Sequence, residues 1–304
     1  MIFALTLSFV LANAAVLARP QTPVRENSIS TRESFMANDA RQVLQASHNP
    51  QELQTAALTL ARSDNSSDHD LLRESLGSAG FLGRLDSPGD YQASPRKRLR
   101  ISRVLEGLST NTAPSAYRVL AYLTHDRTFL MEDERIVALI EASARLRPPP
   151  PEFIAFWDRY SQPDDGFTPV TITALVDNGT EPALQLFEKK MADPGHEDDV
   201  KIAWMHSRIL PRRNDLLLLE TCERLLRGGL PERLRPDLVE SLCDYRPGEW
   251  FRPATAVNPP DRSLASPAAR AELRKICLFA RDSLPLSPTQ KSAVERTLLE
   301  LGNN

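Results

Sequence analysis

One helix start is written more than once in this chain, and that recurrence restricts the fold more than any other feature. Pro169, Ile172, Leu175, Val176 and Asp177 return 67 residues later as Pro236, Val239, Leu242, Cys243 and Asp244. Thr112-Ala113-Pro114 returns 68 residues later as Thr180-Glu181-Pro182, and the apolar positions behind it agree: Ala116 with Leu184, Val119 with Phe187, Leu123 with Met191. Ile136, Leu139 and Ile140 return as Ile202, Met205 and His206, then as Leu273, Ile276 and Cys277. A fixed period is the mark of a chain built from stacked copies of one unit. A drift of a few residues is what loop insertions produce.

The copies are helical. Phe153, Phe156, Trp157 and Tyr160 fall at i, i+3, i+4 and i+7, as do Ile136, Leu139, Ile140 and Ser143, so each segment carries one apolar stripe at helical spacing. The chain holds 24 prolines in 304 residues, above average usage, and many stand where a helix begins. Thr168-Pro169, Ser266-Pro267, Asn49-Pro50 and Ser287-Pro288 each pair a capping residue with proline in the first turn, and Gln290 completes a capping box. There the missing N–H costs nothing. Val170-Thr171-Ile172-Thr173 alternates like a strand, but its partner Asp237-Leu238-Val239-Glu240 does not, so helix is retained.

The spacing predicts helices near 101–109, 114–124, 132–146 and 151–160 for one unit, and 169–177, 181–192, 198–210 and 215–227 for the next. A third runs 236–244, a degraded helix near Trp250, 266–283 and 288–301, with a more divergent unit over 31–85. The hairpin Pro169 to Ala192, a proline-led helix, an Asp177-Asn178 turn and an Ala/Leu-rich helix, resembles the HEAT and armadillo class. That resemblance implies an all-α, right-handed α-solenoid of stacked antiparallel helical hairpins over residues 31–301. The tetratricopeptide and ankyrin signatures are absent. A hairpin cannot bury its stripe alone, so stacking follows, and with it a curved face of the kind that binds proteins or extended ligands.

Met1 to Ala18 lacks any charged side chain, and Arg19-Pro20 follows. Residues 1–18 therefore read as a signal peptide, with small-residue cleavage sites before Ala15 and before Arg19, or alternatively as a signal anchor. Residues 19–30 are polar and read as a flexible tether. The expected location is secreted or periplasmic, or membrane-anchored if the segment is retained.

A net charge of −3 argues against nucleic acid as a partner. Arg96, Lys97, Arg98, Arg100 and Arg103 are the one local charge extreme and the candidate partner-binding basic patch. Cys222, Cys243 and Cys277 lie on apolar helical faces and read as buried thiols, with a bridge between two of them possible in an oxidising compartment. His48, His69, His125, His196 and His206 form no zinc-spaced pair, and His206 should point inward. Asp64 to Asp70 places oxygen ligands on alternate residues but has His69 and Ser75 where a calcium loop needs Gly and Glu. Gly77 to Gly83 follows a helix and reads as a helix end. Asn65-Ser66-Ser67 and Asn178-Gly179-Thr180 are glycosylation acceptors if the source glycosylates exported proteins. No catalytic, cofactor or metal set is assigned. The expectation is a non-enzymatic scaffold that binds a protein or polymer outside the cytoplasm. The alternatives are a HEAT-like enzyme or enzyme-assisting factor of lyase or nucleic-acid type, and a membrane-anchored assembly factor.

Overall fold

A computed structural model describes residues 26–86, 100–209, 212, 215–243 and 266–302. Among these residues every regular element is helical and there is no strand. The first four helices are α1 (Glu26–Ala46), α2 (Pro50–Ala61), α3 (Ser66–Leu76) and α4 (Ala79–Leu85). Next come α5 (Arg100–Thr110), α6 (Pro114–Leu123), α7 (Asp133–Ser143) and α8 (Pro151–Arg159), then α9 (Thr168–Asn178), α10 (Glu181–Ala192), α11 (Asp198–Trp204) and α12 (Leu216–Arg224). The last are α13 (Arg235–Cys243), α14 (Pro267–Ser283) and α15 (Pro288–Gly302). Helices α11 and α12 each widen into a π turn, Met205–Ile209 and Leu225–Gly229. The helix expected near Trp250 lies outside the described residues, as do residues 1–25. Residues 26–30, read from sequence as tether, are helical in α1.

Prolines sit in the first turn of α2, α6, α8, α9, α10 and α14. Asn49 caps α2 by accepting from the Gln51 amide, and Ser266 caps α14 by accepting from the Ala269 amide at 3.1 Å. The Ser287 capping box closes in both directions: the Ser287 amide donates to Gln290 Oε1 at 3.0 Å, and the Gln290 amide donates to Ser287 Oγ at 3.3 Å. Thr168 departs from expectation. It is the first residue of α9 rather than its cap, because its hydroxyl donates to the Gln162 carbonyl at 2.8 Å while Asp165 takes the Phe167 amide at 2.9 Å. The strand-like run Val170–Thr173 is helical, and Thr171 and Thr173 turn their hydroxyls onto the carbonyls of Phe167 and Pro169. Those back-bonds absorb the polar groups of residues that favour strands.

Packing follows two sequences of neighbours. Along one, α2 packs on α5, α5 on α7 and α7 on α9; α9 meets Met205–Ile209, that turn meets α13, and α13 meets α15. Along the other, α3 meets α6, while α8 meets α10, α10 meets α12 and α12 meets α14. The hairpins α1–α2, α2–α3, α5–α6, α9–α10 and α14–α15 join them. The apolar positions matched by sequence are buried in both copies: Ile172, Leu175 and Val176 with Val239, Leu242 and Cys243; Ala116, Val119 and Leu123 with Leu184, Phe187 and Met191. Gly107 lets α5 lie close on α2, since a β-carbon there would stand 2.8 Å from Leu58 Cδ1. Gly179 ends α9 at φ 66°, the left-handed conformation that glycine adopts without strain.

Candidate interaction surface

The buried polar groups tie helices that are distant in sequence to one another. Asn111, just past α5, donates from Nδ2 to the carbonyls of Ala61 at 2.9 Å and Ser63 at 2.8 Å, where α2 ends. Its Oδ1 accepts from the Ala113 amide at 2.8 Å. Asn178, 67 residues on, repeats this at the end of α9: Nδ2 donates to Ala144 at 3.1 Å and Leu146 at 2.7 Å, where α7 ends, and Oδ1 takes the Thr180 amide. Arg212 donates to the Val176 carbonyl at 2.9 Å, and Thr297 Oγ1 to the Cys243 carbonyl at 2.9 Å. The C-terminal carbonyls of a helix have no intrahelical partner, so here a side chain from a later part of the chain supplies the donor.

Between α8, α10, α12 and α14 the ties are ionic. Asp158 on α8 receives Lys190 Nζ at 2.7 Å and Lys189 Nζ at 3.3 Å from α10. Glu188 on α10 receives Arg224 of α12 at 2.9 Å. Glu223 on α12 receives Arg227 at 2.7 Å and, from α14, Lys275 at 2.5 Å, and the Arg227 guanidinium lies 4.6 Å from the Phe279 ring centre. Partial burial pushes the Asp158 carboxyl up, but the hydrogen bonds from Lys190 and Lys189 outweigh it and hold the group below its ordinary range. Glu223 shows the same contest, and Lys275 and Arg227 bring it down to about 2. Glu272, beside Glu223, is raised by burial and by that neighbouring carboxylate.

Two imidazoles are buried. His69 on α3 meets Ser115 Oγ of α6 at 2.6 Å through Nδ1. Both Nδ2 hydrogens of Asn111 are committed to carbonyls, so the 3.4 Å approach of that nitrogen to Nε2 is contact rather than donation. His196 stacks edgewise on Trp204 at 5.1 Å and bonds to the Ser161 backbone, while Nε2 has no hydrogen-bond partner among the described residues. Desolvation lowers both from the ordinary 6.5. The unfolded chain takes up these protons near 6.5 and the folded chain only at lower pH. Their contribution to stability is therefore full above about pH 6.5 and is lost as pH falls toward the folded values. Urea midpoints should decline between pH 7.5 and 5.5, and a flat profile there would show that neither ring is held neutral.

The sequence-derived candidates fall as follows. Arg96, Lys97 and Arg98 lie outside the described residues. Arg100 opens α5, half-buried, and donates to the Leu85 carbonyl at 3.3 Å, while Arg103, one turn on, is exposed. Asp68 is buried and bonded to Arg41 at 2.5 Å and Ser63 at 2.6 Å, so the calcium-like run is the start of α3 with its carboxylate committed. Gly77 to Gly83 is the junction of α3 and α4. Glu197 and Asp198 open α11, and Asp198 pairs with Arg233. His206 is half-buried beside Ser241 Oγ at 3.3 Å. Asn65 is exposed as the cap of α3, whereas Asn178 is 1% exposed and closed to a glycan in the folded chain. Cys222, Cys243 and Cys277 are free and buried. No described helix is long and apolar enough to cross a membrane. The carbonyl clasps of Asn111 and Asn178 were not anticipated from sequence, although their 67-residue offset was there to be seen.

Comparison with known proteins finds no matching family model, no similar curated protein and no similar solved structure.

Proposed function

We propose that this chain is a binding scaffold: a right-handed, HEAT-like α-solenoid over residues 31–301 that holds a protein partner outside the cytoplasm. The observation that carries the reading is the packing order, in which α2, α5, α7 and α9 meet in turn, as do α8, α10, α12 and α14. Growth by addition of this kind leaves long faces uncovered, and extended faces of stacked hairpins serve recognition. The use of polar groups supports it. Asn111, Asn178, Asp158 and Glu223 are spent on holding helix to helix. Trp157 and Trp204 are buried, the former donating to Ser143 Oγ at 2.9 Å, so neither indole is offered to a ligand. The uncharged run Met1 to Ala18 supports export, and the cluster Arg96, Lys97, Arg98, Arg100 and Arg103 favours an acidic partner surface.

The test is capture, on the chain from Arg19 onward, of proteins from the exported fraction of the source, with a parallel variant carrying Arg100→Glu and Arg103→Glu. The expected result is a specific acidic partner whose capture falls at least about tenfold in the variant, as loss of complementary charge implies. Capture unaffected by charge reversal, or turnover of a small substrate by the free chain, would overturn the reading. N-terminal sequencing of the protein from its native source should begin at Ala15 or Arg19, and an intact Met1 would refute cleavage.

A further inference from the structure

The three cysteines are not equivalent. Cys243 is the last residue of α13, Cys277 lies in the middle of α14, and their sulfurs stand 3.5 Å apart in the buried interior. Cys222 on α12 is equally buried, but no other pair of the three is brought together. The surroundings of Cys243 are fixed from a second side, because Thr297 Oγ1 of α15 donates to its carbonyl at 2.9 Å. Residue 243 thus touches both helices of the final hairpin. Closing from 3.5 Å to a sulfur–sulfur bond requires a displacement of about 1.5 Å, within reach of side-chain torsion.

We propose that Cys243 and Cys277 form a disulfide when the chain folds in an oxidising compartment, fastening the α14–α15 hairpin to α13. The oxidant is a small disulfide such as oxidised glutathione. The Cys243 thiolate attacks one glutathione sulfur and expels the first glutathione thiolate. The Cys277 thiolate then attacks the Cys243 sulfur of the mixed disulfide and expels the second. The protein loses two electrons, the oxidant gains two, and the two thiol protons pass to the released glutathiones. In the folded chain the Cys277 thiol is pushed up by its hydrogen bond with Cys243 and by burial. The bond therefore forms during folding, while the pair is still reached by solvent, and slowly once the core has closed. It encloses the segment between residues 243 and 277, and closing such a loop restricts the unfolded chain.

The test uses the full chain, reduced, denatured and refolded in a glutathione redox buffer, then alkylated and digested without reductant. The expected product joins the tryptic peptides of Cys243 and Cys277 and leaves Cys222 alkylated. Oxidised protein should unfold several degrees above the same protein treated with dithiothreitol. That shift should survive Cys222→Ala and vanish in Cys277→Ser, with circular dichroism confirming that both variants fold. Linkage of Cys222 at comparable yield, or three alkylated thiols after oxidative refolding, would overturn the proposal. If Cys277→Ser does not fold, the peptide linkage in Cys222→Ala decides the question alone.

Discussion

Asn178→Asp should destabilise the folded chain by roughly 3–5 kcal/mol, far more than a change of one atom suggests. Asn178 is 1% exposed, and its Nδ2 supplies the donors for the carbonyls of Ala144 and Leu146. A carboxylate has no donors to offer, so both carbonyls lose their partner and a charge is placed against two negative dipoles. Asn178→Ala removes the same bonds without adding charge and should cost about 2–4 kcal/mol, the range expected when buried acceptors are left unsatisfied. Asn111 has the same geometry against Ala61 and Ser63, so Asn111→Asp should match within a factor of two. The control is Asn65→Asp. Asn65 caps α3 from an exposed position by accepting from the Ser67 amide, a task Asp performs equally well, and the change should be within about 0.5 kcal/mol. Urea unfolding at pH 7 measures all four. If Asn178→Asp costs no more than Asn65→Asp, the clasp between successive helix ends contributes nothing.

These asparagines mark the boundary between what was readable in the sequence and what was not. Helix positions were readable because the signals are local: proline in the first turn, a capping side chain beside it, and apolar residues every third or fourth position. Helix α10 occupies Glu181–Ala192, the range its periodicity predicts, and Pro114 and Pro151 begin α6 and α8 where expected. The partners of Asn111 and Asn178 are backbone carbonyls 32 to 50 residues earlier, and a carbonyl carries no residue-type signal. Only the repeat offset marks the pair, because an amide carries none of the chemistry that singles out a His, a Cys or a carboxylate. The ties between α8, α10, α12 and α14 were hidden for a related reason. Each of Asp158, Glu188 and Glu223 looks like any solvated charge until the stacking places its counter-ion on the next helix. Thr168 shows the reverse case, a local capping signal overridden when a tertiary acceptor, the Gln162 carbonyl, takes the hydroxyl.

Asp158 and Lys190 should respond very differently to truncation. The Lys190 side chain is 2% exposed and the Asp158 side chain 35% exposed, so the ammonium depends on its partner much more than the carboxylate does. Asp158→Ala leaves the ammonium with the Asp158 backbone carbonyl at 3.3 Å as its remaining acceptor. A fully buried pair broken this way loses 3–5 kcal/mol, and water at the exposed edge of Asp158 reduces the expected cost to about 2–3 kcal/mol. Lys190→Met keeps the volume and removes the charge that must be neutralised, so it should cost less than about 1.5 kcal/mol, and the freed carboxylate still has Lys189 and solvent. Adding Lys190→Met to Asp158→Ala should therefore recover stability, a sign opposite to that of an additive pair. The pH dependence supplies an independent check. Because the folded Asp158 carboxyl is held below its ordinary 3.8, its contribution is present above that value and is lost as pH falls through the folded value. Wild type and Lys190→Met should converge in stability under strong acid and separate above it. If the double variant is no more stable than Asp158→Ala, the ammonium is not isolated by loss of the carboxylate, and the tie between α8 and α10 is a surface ion pair of little consequence.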